Sequence, residues 1–201
     1  MLSTLVDKSL IWRESGGRYQ MHELLRQYAA ERLAVEAEAV RQVQQAHARY
    51  YMSFLQRREF ELHFDRQRET VRELEMEMDN LRAALRWAIE SADPLLLRTG
   101  AWPYYDLMDI QGRYHEACQT LVQAIDHLAV LDSSEERDFT LAILRCAAAN
   151  LCIRAGQFEE ARTLFYESAR LFGTLNRPPP PGFGTEPLIG MGLLATTIGR
   201  F

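Results

Sequence analysis

The residues of this chain that could perform acid-base, nucleophilic or metal chemistry are few and scattered. None of its histidines forms an HxxxH or HExxH pair, and no carboxylate cluster lies at metal-ligand spacing from them. A phosphate-binding loop of the GxxxxGK(S/T) type does not occur, and the single lysine, Lys8, has no upstream glycines to cradle a phosphate. The sequence therefore predicts no catalytic residue, no metal and no cofactor in this chain, which we expect not to be an enzyme. The histidines are His22, His47, His63, His115 and His127.

The three cysteines, Cys118, Cys146 and Cys152, are an odd number and lack CxxC spacing. Cys146 and Cys152 are six residues apart, which places them on different faces of a helix. We expect all three to be reduced, half-buried core residues.

The composition is that of a soluble globular protein. The 201 residues are 47% hydrophobic and 25% charged, which excludes disorder as the main state. No apolar run reaches the roughly 18 residues of a membrane span, and no basic stretch with an apolar signal core follows Met1. The expected location is the cytoplasm, without a membrane partner.

The charge balance argues against nucleic acid as a direct partner. The net charge is −5, and 22 of the 23 basic residues are arginine, so an overall basic footprint is absent. Residues 1–35 carry five basic and four acidic side chains, a field too weak to hold phosphates.

A nearly constant spacing of glycine motifs is the main sign of internal organisation. Their glycines are 44 and 43 residues apart in Gly112-Arg113-Tyr114, Gly156-Gln157-Phe158 and Gly199-Arg200-Phe201. The pattern Ala117, Leu121 after the first motif recurs as Ala161, Phe165 after the second. It predicts helical hairpins in which glycine allows a tight turn, the aromatic residue opens the second helix, and alanine lets two helix backbones approach.

The glycine, the aromatic residue two positions on and the alanine three further resemble the second half of a tetratricopeptide repeat. Because the usual period is about 34 residues, longer helices and insertions are expected here. The implied fold is mainly α, with antiparallel helix pairs stacked as a tetratricopeptide-like right-handed superhelix. The repeats would span 93–132, 133–176 and 185–201. The last is truncated and would leave an apolar face, so we expect this end to be either poorly ordered or covered by a neighbouring molecule, as in self-association of the chain.

Two insertions separate these repeats. In the first, Ser133 and Glu136 fit a capping box that starts a helix. In the second, Pro178–Pro181 cannot be helical, and Gly182 and Gly184 follow. We interpret the proline run as a stiff surface connection, the alternative being a proline ligand that another protein recognises.

Residues 36–92 contain no proline or glycine and predict a pair of long helices. A stripe of helical period runs through Val71, Leu74, Met78, Leu81, Leu85 and Ala88. One break, near Phe60 to Arg66, would separate the two helices. Trp87, Trp102 and Tyr104 are expected to pack between this pair and the first repeat.

Residues 1–35 predict a β-hairpin followed by a helix. Short apolar runs at 9–12 and 19–21 flank Gly16 and Gly17, which suit a turn of positive φ, and helical spacing resumes at His22. This order is the back half of a winged-helix domain, here partial.

The run from Leu5 to Ala29 resembles the end of the winged-helix domain in signal-transduction ATPases with numerous domains, the NB-ARC-like class. Asp79 to Ala88 resembles the stretch that follows in the bacterial members, many of which are transcriptional regulators with tetratricopeptide repeats. The resemblance implies a role for ADP or ATP only in the context of a larger parent protein.

By the same resemblance, Met21, His22 and Glu23 occupy the family's methionine-histidine-aspartate triplet, whose histidine approaches the β-phosphate of ADP. Glu23 replaces the aspartate. An imidazole at a helix start can donate a hydrogen bond to a phosphate oxygen. Because the nucleotide pocket is missing from this chain, we favour a structural role for His22, as a helix cap or packed against the hairpin.

The first helix of each repeat is expected to line a concave face that binds a partner. We place Tyr105 and Asp109 of the first repeat on that face, with Asn150 and Arg154 of the second. Asn150 would hydrogen bond an extended peptide backbone, and Arg154 would hold a carboxylate. Alternatively, these are ordinary polar residues on the groove side.

Two functions remain open. One is the sensor and protein-interaction arm of a signalling ATPase or transcriptional regulator, which binds a protein, a peptide or a small-molecule inducer. The other is a passive scaffold that assembles protein complexes without switching.

Overall fold

The computed structural model describes residues 2–14, 16–180 and 186–199, which form two units, Met1–Gln44 and Gln45–Phe201. It is mainly helical, and its described residues contain one small antiparallel sheet. Among the helices described, none combines the length and the hydropathy of a membrane span.

The first unit contains the predicted hairpin and helix. Its elements are α1 (Leu2–Asp7), β1 (Ile11–Arg13), β2 (Tyr19–Met21), α2 (Glu23–Ala34) and the start of α3 (Ala37–Gln56), which continues into the second unit. The strands pair Ile11 with Met21 and Arg13 with Tyr19, and Gly17 has φ +82° in the turn. Ser15 lies outside the described residues. Ile11 is the one buried hydrophobic residue among those described in this unit.

The second unit is a series of helices. After α3 they are α4 (Glu59–His63), α5 (Gln67–Met76), α6 (Met78–Glu90), α7 (Pro94–Ile110), α8 (Tyr114–Ala129), α9 (Glu135–Arg154), α10 (Phe158–Leu175) and α11 (Pro187–Thr197).

The predicted break near Phe60 to Arg66 is present between α4 and α5, but the chain also turns at 57–58 and at Glu77, so residues 36–92 do not form a single pair of helices. Glu77 has φ −103° and ψ 6°, and its carboxylate accepts hydrogen bonds from Tyr51 (3.1 Å) and Asn80 (2.7 Å). The stripe from Leu74 to Ala88 is nevertheless buried, shared between α5 and α6. The apolar period therefore identified the buried face correctly, although it did not reveal the break.

The predicted turns are confirmed at Gly112 and Gly156. These glycines have φ +67° and +76°, and helices α8 and α10 begin two residues later at Tyr114 and Phe158. At both turns the residue after the glycine donates its backbone N–H to the carbonyl five residues back, which is a Schellman cap. Gly199 is also left-handed, with φ +69°, whereas Arg200 and Phe201 lie outside the described residues.

The cap that starts α9 is one residue later than predicted. Ser134 is the N-cap, and its hydroxyl accepts a hydrogen bond from the Arg137 N–H at 3.2 Å. The Ser133 hydroxyl instead donates a hydrogen bond to Asp138 at 2.7 Å. Glu136 pairs with Arg98 and Arg177 rather than closing a capping box.

Helices α7 and α9 lie side by side and run parallel. Near their starts, the Thr140 hydroxyl lies 3.2 Å from the Pro94 carbonyl, and at their ends Arg154 pairs with Asp109. Helices α8 and α10 run antiparallel to α9, since Cys118 near the start of α8 meets Cys152 near the end of α9, and Ser168 late in α10 meets Ala142 early in α9.

Large aromatic side chains pack where α7 meets its neighbours. Trp102 and Tyr104 are buried, and Trp87 is partly buried against the same core. The Tyr104 hydroxyl lies 3.5 Å from that of Thr120 on α8.

Replacing Ala92 by glycine should stabilise the protein. Ala92 has φ +46° and forms the same Schellman cap as the glycines, and an L-residue in this conformation is strained by roughly 1 kcal/mol. Relief of this strain is partly cancelled because glycine gives the unfolded chain more conformational entropy. Ala92→Gly is therefore expected to raise the free energy of unfolding by roughly 0.5 kcal/mol. Gly156→Ala should lower it by about 1 kcal/mol. Urea unfolding measures both, and a destabilised Ala92→Gly would contradict the cap.

Two glycines of α11 should respond in opposite directions to alanine. A Cβ at Gly190 would lie 2.3 Å from two ring atoms of the buried Phe165, whereas a Cβ at Gly192 would have no neighbour within 4 Å. Gly190→Ala should destabilise by roughly 1–3 kcal/mol through overpacking. Gly192→Ala should stabilise by up to about 1 kcal/mol through helix propensity. Equal effects in thermal unfolding would show that Phe165 does not pack on Gly190.

Candidate functional site

One face of the second unit is formed by matched stripes on the parallel helices α7 and α9. We call it the α7–α9 face. Its residues follow helical spacing on both helices: Arg98, Trp102, Tyr105 and Asp109 on α7, and Phe139, Ile143, Asn150 and Arg154 on α9. Because the helices are parallel, the two stripes keep the same order along the face.

At the C-terminal end of this face, the structure brings together three of the four predicted groove residues. Two of the three guanidinium nitrogens of Arg154 approach the Asp109 carboxylate, Nε at 3.0 Å and an η nitrogen at 3.4 Å. Tyr105 is half-buried beside them, and burial with the nearby Asp109 charge raises the pKa of Tyr105 to about 12. The charge of Asp109 also raises the pKa of Arg154. Arg154 and Asp109 therefore form an ion pair between α7 and α9, with the neutral phenol of Tyr105 beside it.

Asn150 does not belong to the accessible part of the face, contrary to its predicted role. It is 8% exposed, and its Nδ2 donates to the Cys146 carbonyl one turn earlier at 2.9 Å. Helical spacing indicated the correct side of α9 but not the depth at which the amide lies.

A hydrogen bond between His63 and the buried carboxylate of Asp106 was not predicted from the sequence. His63 Nε2 on α4 lies 2.9 Å from Asp106 Oδ2 on α7, and Asp106 is 6% exposed. Burial raises the pKa of Asp106 to about 6, with the charges of Glu59 and Asp109 adding to the rise and His63 opposing it. A signal was present, since Asp106 stands among apolar residues of α7 and a buried carboxylate requires a partner. The partner is 43 residues away in sequence.

At the N-terminal end of the face, a cleft of about 620 Å³ opens between α7 and α9. Its apolar lining includes Trp102, Phe139 and Ile143, and Pro178–Pro180 form one wall. The proline run is thus non-helical in its described part, as predicted, whereas Pro181, Gly182 and Gly184 lie outside the described residues.

Two arginines flank the aromatic ring in this cleft. The guanidinium carbons of Arg177 and Arg98 lie 3.5 and 5.6 Å from the centre of the Phe139 ring, and both side chains pair with Glu136. Trp102 Nε1 is buried, and no described residue accepts a hydrogen bond from it. The cleft therefore offers an apolar floor and two arginines, and the indole N–H of its Trp102 is buried without an acceptor among the described residues.

In the first unit, His22 is the N-cap of α2. Its Nδ1 accepts a hydrogen bond from the Leu24 N–H at 3.3 Å, so a cap is the structural role that this residue has. Glu23 pairs with Arg26 at 2.6 Å and accepts from Gln27 at 3.0 Å, and Met21 ends β2 opposite Ile11. The three residues predicted to sense nucleotide are consecutive at the junction of hairpin and helix.

Comparison with known proteins adds no further constraint. No family model, curated protein or solved structure matches this chain.

Asp106 should make stability depend on pH. Its pKa of about 6 in the folded protein exceeds the value near 4 of an unfolded chain, so the folded state binds this proton more tightly. The contribution of Asp106 to stability, up to about 3 kcal/mol, should therefore be fully present below about pH 4 and be lost as the pH rises through about 6. The amide side chain in the Asp106→Asn variant cannot ionise, so this variant should not show the part of the loss of stability that Asp106 causes.

Urea unfolding between pH 4 and 7 measures the effect. Asp126→Asn removes an exposed carboxylate on α8 and should leave the pH profile of the wild type unchanged. Parallel profiles for wild type and Asp106→Asn would show that Asp106 is not protonated in the folded protein.

Proposed function

We propose that this chain is a non-catalytic protein-interaction arm that binds an extended peptide segment of a partner along the α7–α9 face. The observation that carries the proposal is the cleft in which Arg98 and Arg177 flank Phe139 beside the unsatisfied Trp102 donor. Aromatic and arginine side chains in a partly desolvated pocket dominate binding at protein interfaces.

The lining specifies the kind of peptide that fits. An apolar side chain would occupy the floor formed by Trp102, Phe139 and Ile143. A backbone carbonyl would accept from Trp102 Nε1, and a carboxylate would pair with Arg98 or Arg177. Glu136, which pairs with both arginines, has a side chain that is 58% exposed. Because so exposed an ion pair contributes little free energy, a ligand carboxylate could replace Glu136 at little cost.

The proposed architecture is a tetratricopeptide-like superhelix. Supporting it are the parallel alignment of α7 and α9, the antiparallel α8 and α10, and the repeated glycine caps before α8 and α10. Stacked hairpins of this kind present the first helix of each pair on one concave face. Arg154 and Asp109 would then form one end of the groove rather than an open binding site.

We place the arm in a parent protein of the NB-ARC-like signalling class, a transcriptional regulator in which ADP or ATP is bound elsewhere. The support is the order of hairpin, helix, further helices and glycine-capped helical hairpins, together with Met21, His22 and Glu23 at the hairpin-helix junction. The reading frame upstream of the Met1 codon tests this placement. An encoded phosphate-binding loop supports it, whereas an in-frame stop codon directly upstream removes it and leaves the passive scaffold.

The peptide site is tested by selecting binders from a displayed library of random peptides on the folded chain. A selected peptide, synthesised with a fluorophore, should bind Arg177→Ala and Trp102→Phe about tenfold more weakly than wild type, since each change removes one polar contact of about 1.4 kcal/mol. Fluorescence anisotropy gives the dissociation constants.

The matched control is Arg162→Ala, which removes an exposed arginine that pairs within α10 and leaves the net charge the same as in Arg177→Ala. It should bind like wild type. If selected peptides bind all three variants equally, or if folded wild type selects none, the cleft is not the partner site.

A further inference from the structure

The thiols of Cys118 and Cys152 lie together in the core of the second unit. Their sulfurs are 2.7 Å apart, Cys118 on the first turns of α8 and Cys152 near the end of α9. Both are buried, at 4% and 0% exposure, and not half-buried as predicted. The two residues are 34 positions apart, so the contact is made by the packing of the two helices and not by local sequence.

An exposed carboxylate, that of Glu160, lies beside this pair of thiols. An oxygen of the exposed Glu160, on the first turns of α10, lies within 4.8 Å of both sulfurs. Beside Glu160 a cleft of about 560 Å³ opens, lined also by Gly156, Gln157 and Ile198. Neither sulfur lines this cleft, so a small solute reaches the dithiol when the helix ends at this corner open locally.

Two chemistries suit two thiols and a carboxylate, and the sulfur separation decides between them. Thiolates that share a tetrahedral zinc ion at about 2.3 Å must be about 3.8 Å apart. A disulfide bond is about 2.05 Å long. The observed 2.7 Å is closer to the disulfide, and reaching it requires the sulfurs to approach further, whereas a metal would have to push them apart against the packed core.

We infer that Cys118 and Cys152 are a redox modification site, at which hydrogen peroxide or a peroxide of similar size forms an intrachain disulfide between α8 and α9. The Cys118 thiolate attacks one peroxide oxygen, the O–O bond breaks, and hydroxide leaves and takes up a proton to form water. The resulting Cys118 sulfenic acid is attacked by the Cys152 sulfur. The S–S bond forms, the S–O bond breaks, and the hydroxyl leaves as water with the Cys152 proton. Two thiols are oxidised and one peroxide is reduced to two waters.

The roles of the two sulfurs differ. The hydrogen bond between the thiols lowers the pKa of Cys118 and raises that of Cys152. Cys118 is also the more exposed of the two, so it is the attacking thiolate and Cys152 is the resolving thiol. Cys146 serves as an internal comparison, since burial raises the pKa of its thiol to about 12.

The test exposes the folded, reduced chain to hydrogen peroxide, blocks remaining thiols with N-ethylmaleimide in denaturant, and maps tryptic peptides by mass. The peptide 114–137 should be found linked to 146–154, with the mass of two hydrogens lost. Cys146→Ser should retain the link, which assigns it to Cys152. Cys118→Ser and Cys152→Ser should lose it. The oxidised wild type should unfold at a temperature higher by roughly 5–10 °C, because the cross-link restricts the unfolded chain.

Several outcomes would overturn the inference. One is the finding that, after the native chain has been treated with peroxide, all three thiols still react with N-ethylmaleimide in denaturant. Another is a link through Cys146, or a link of Cys118 to Cys152 that forms only when peroxide is added in denaturant. A third is stoichiometric binding of zinc to the reduced chain that protects both thiols and is lost in Glu160→Gln, which would assign a metal site instead.

Discussion

The burial of most of α9 is the constraint on which the second unit depends. Thirteen of its 20 residues are buried, and α7, α8, α10 and α11 all pack on it. A helix buried all round presents no single apolar stripe, so its neighbours are fixed by shape and not by one hydrophobic seam. Ala147, Ala148 and Ala149 are wholly buried and permit close approach on three sides. Its buried polar side chains, Thr140 and Asn150, donate hydrogen bonds to carbonyls of α9 itself. Burial disfavours the charge of Arg145 and lowers its pKa, and the nearby Glu167 carboxylate, 2.8 Å from Arg145 Nε, opposes that effect.

The features predicted correctly are those with local physical causes. Gly112 and Gly156 were identifiable because the left-handed conformation after a helix strongly favours glycine. In both cases an aromatic residue, Tyr114 or Phe158, follows two positions later and starts the next helix. Ala92 adopts the same conformation without being glycine, so the equivalent turn before α7 had no compositional signal. The break at Glu77 has no glycine or proline either. It accompanies hydrogen bonds from Tyr51 and Asn80, and the one from Tyr51 comes from a helix 26 residues earlier.

The candidate site was partly predictable for the same reason. Tyr105, Asp109 and Arg154 were found because helical spacing and an assumed parallel alignment of successive first helices place them together, and the Arg154–Asp109 distance of 3.0 Å agrees. Burial depth is not encoded in spacing, which is why Asn150 was placed too far out. The pairs His63–Asp106 and Cys118–Cys152 join residues 43 and 34 apart on different helices. Such contacts depend on how helices pack, which a single sequence does not specify.

The location of charges separates stability from binding in this unit. Arginines of the α7–α9 face pair with carboxylates whose exposed fractions range from 23% at Asp109 to 58% at Glu136. Ion pairs this accessible contribute at most about 1 kcal/mol each, whereas burying one leucine contributes about 2 kcal/mol. Wholly buried side chains such as Leu141, Leu151 and Phe165 therefore hold the helices in place whether or not the surface pairs form. In the proposed function, a ligand carboxylate would replace Glu136 at Arg98 and Arg177 without loosening that core. By contrast, the proposed cross-link between Cys118 and Cys152 would join α8 to the central helix itself, so oxidation would act on stability and leave the half-buried arginines of the cleft unchanged.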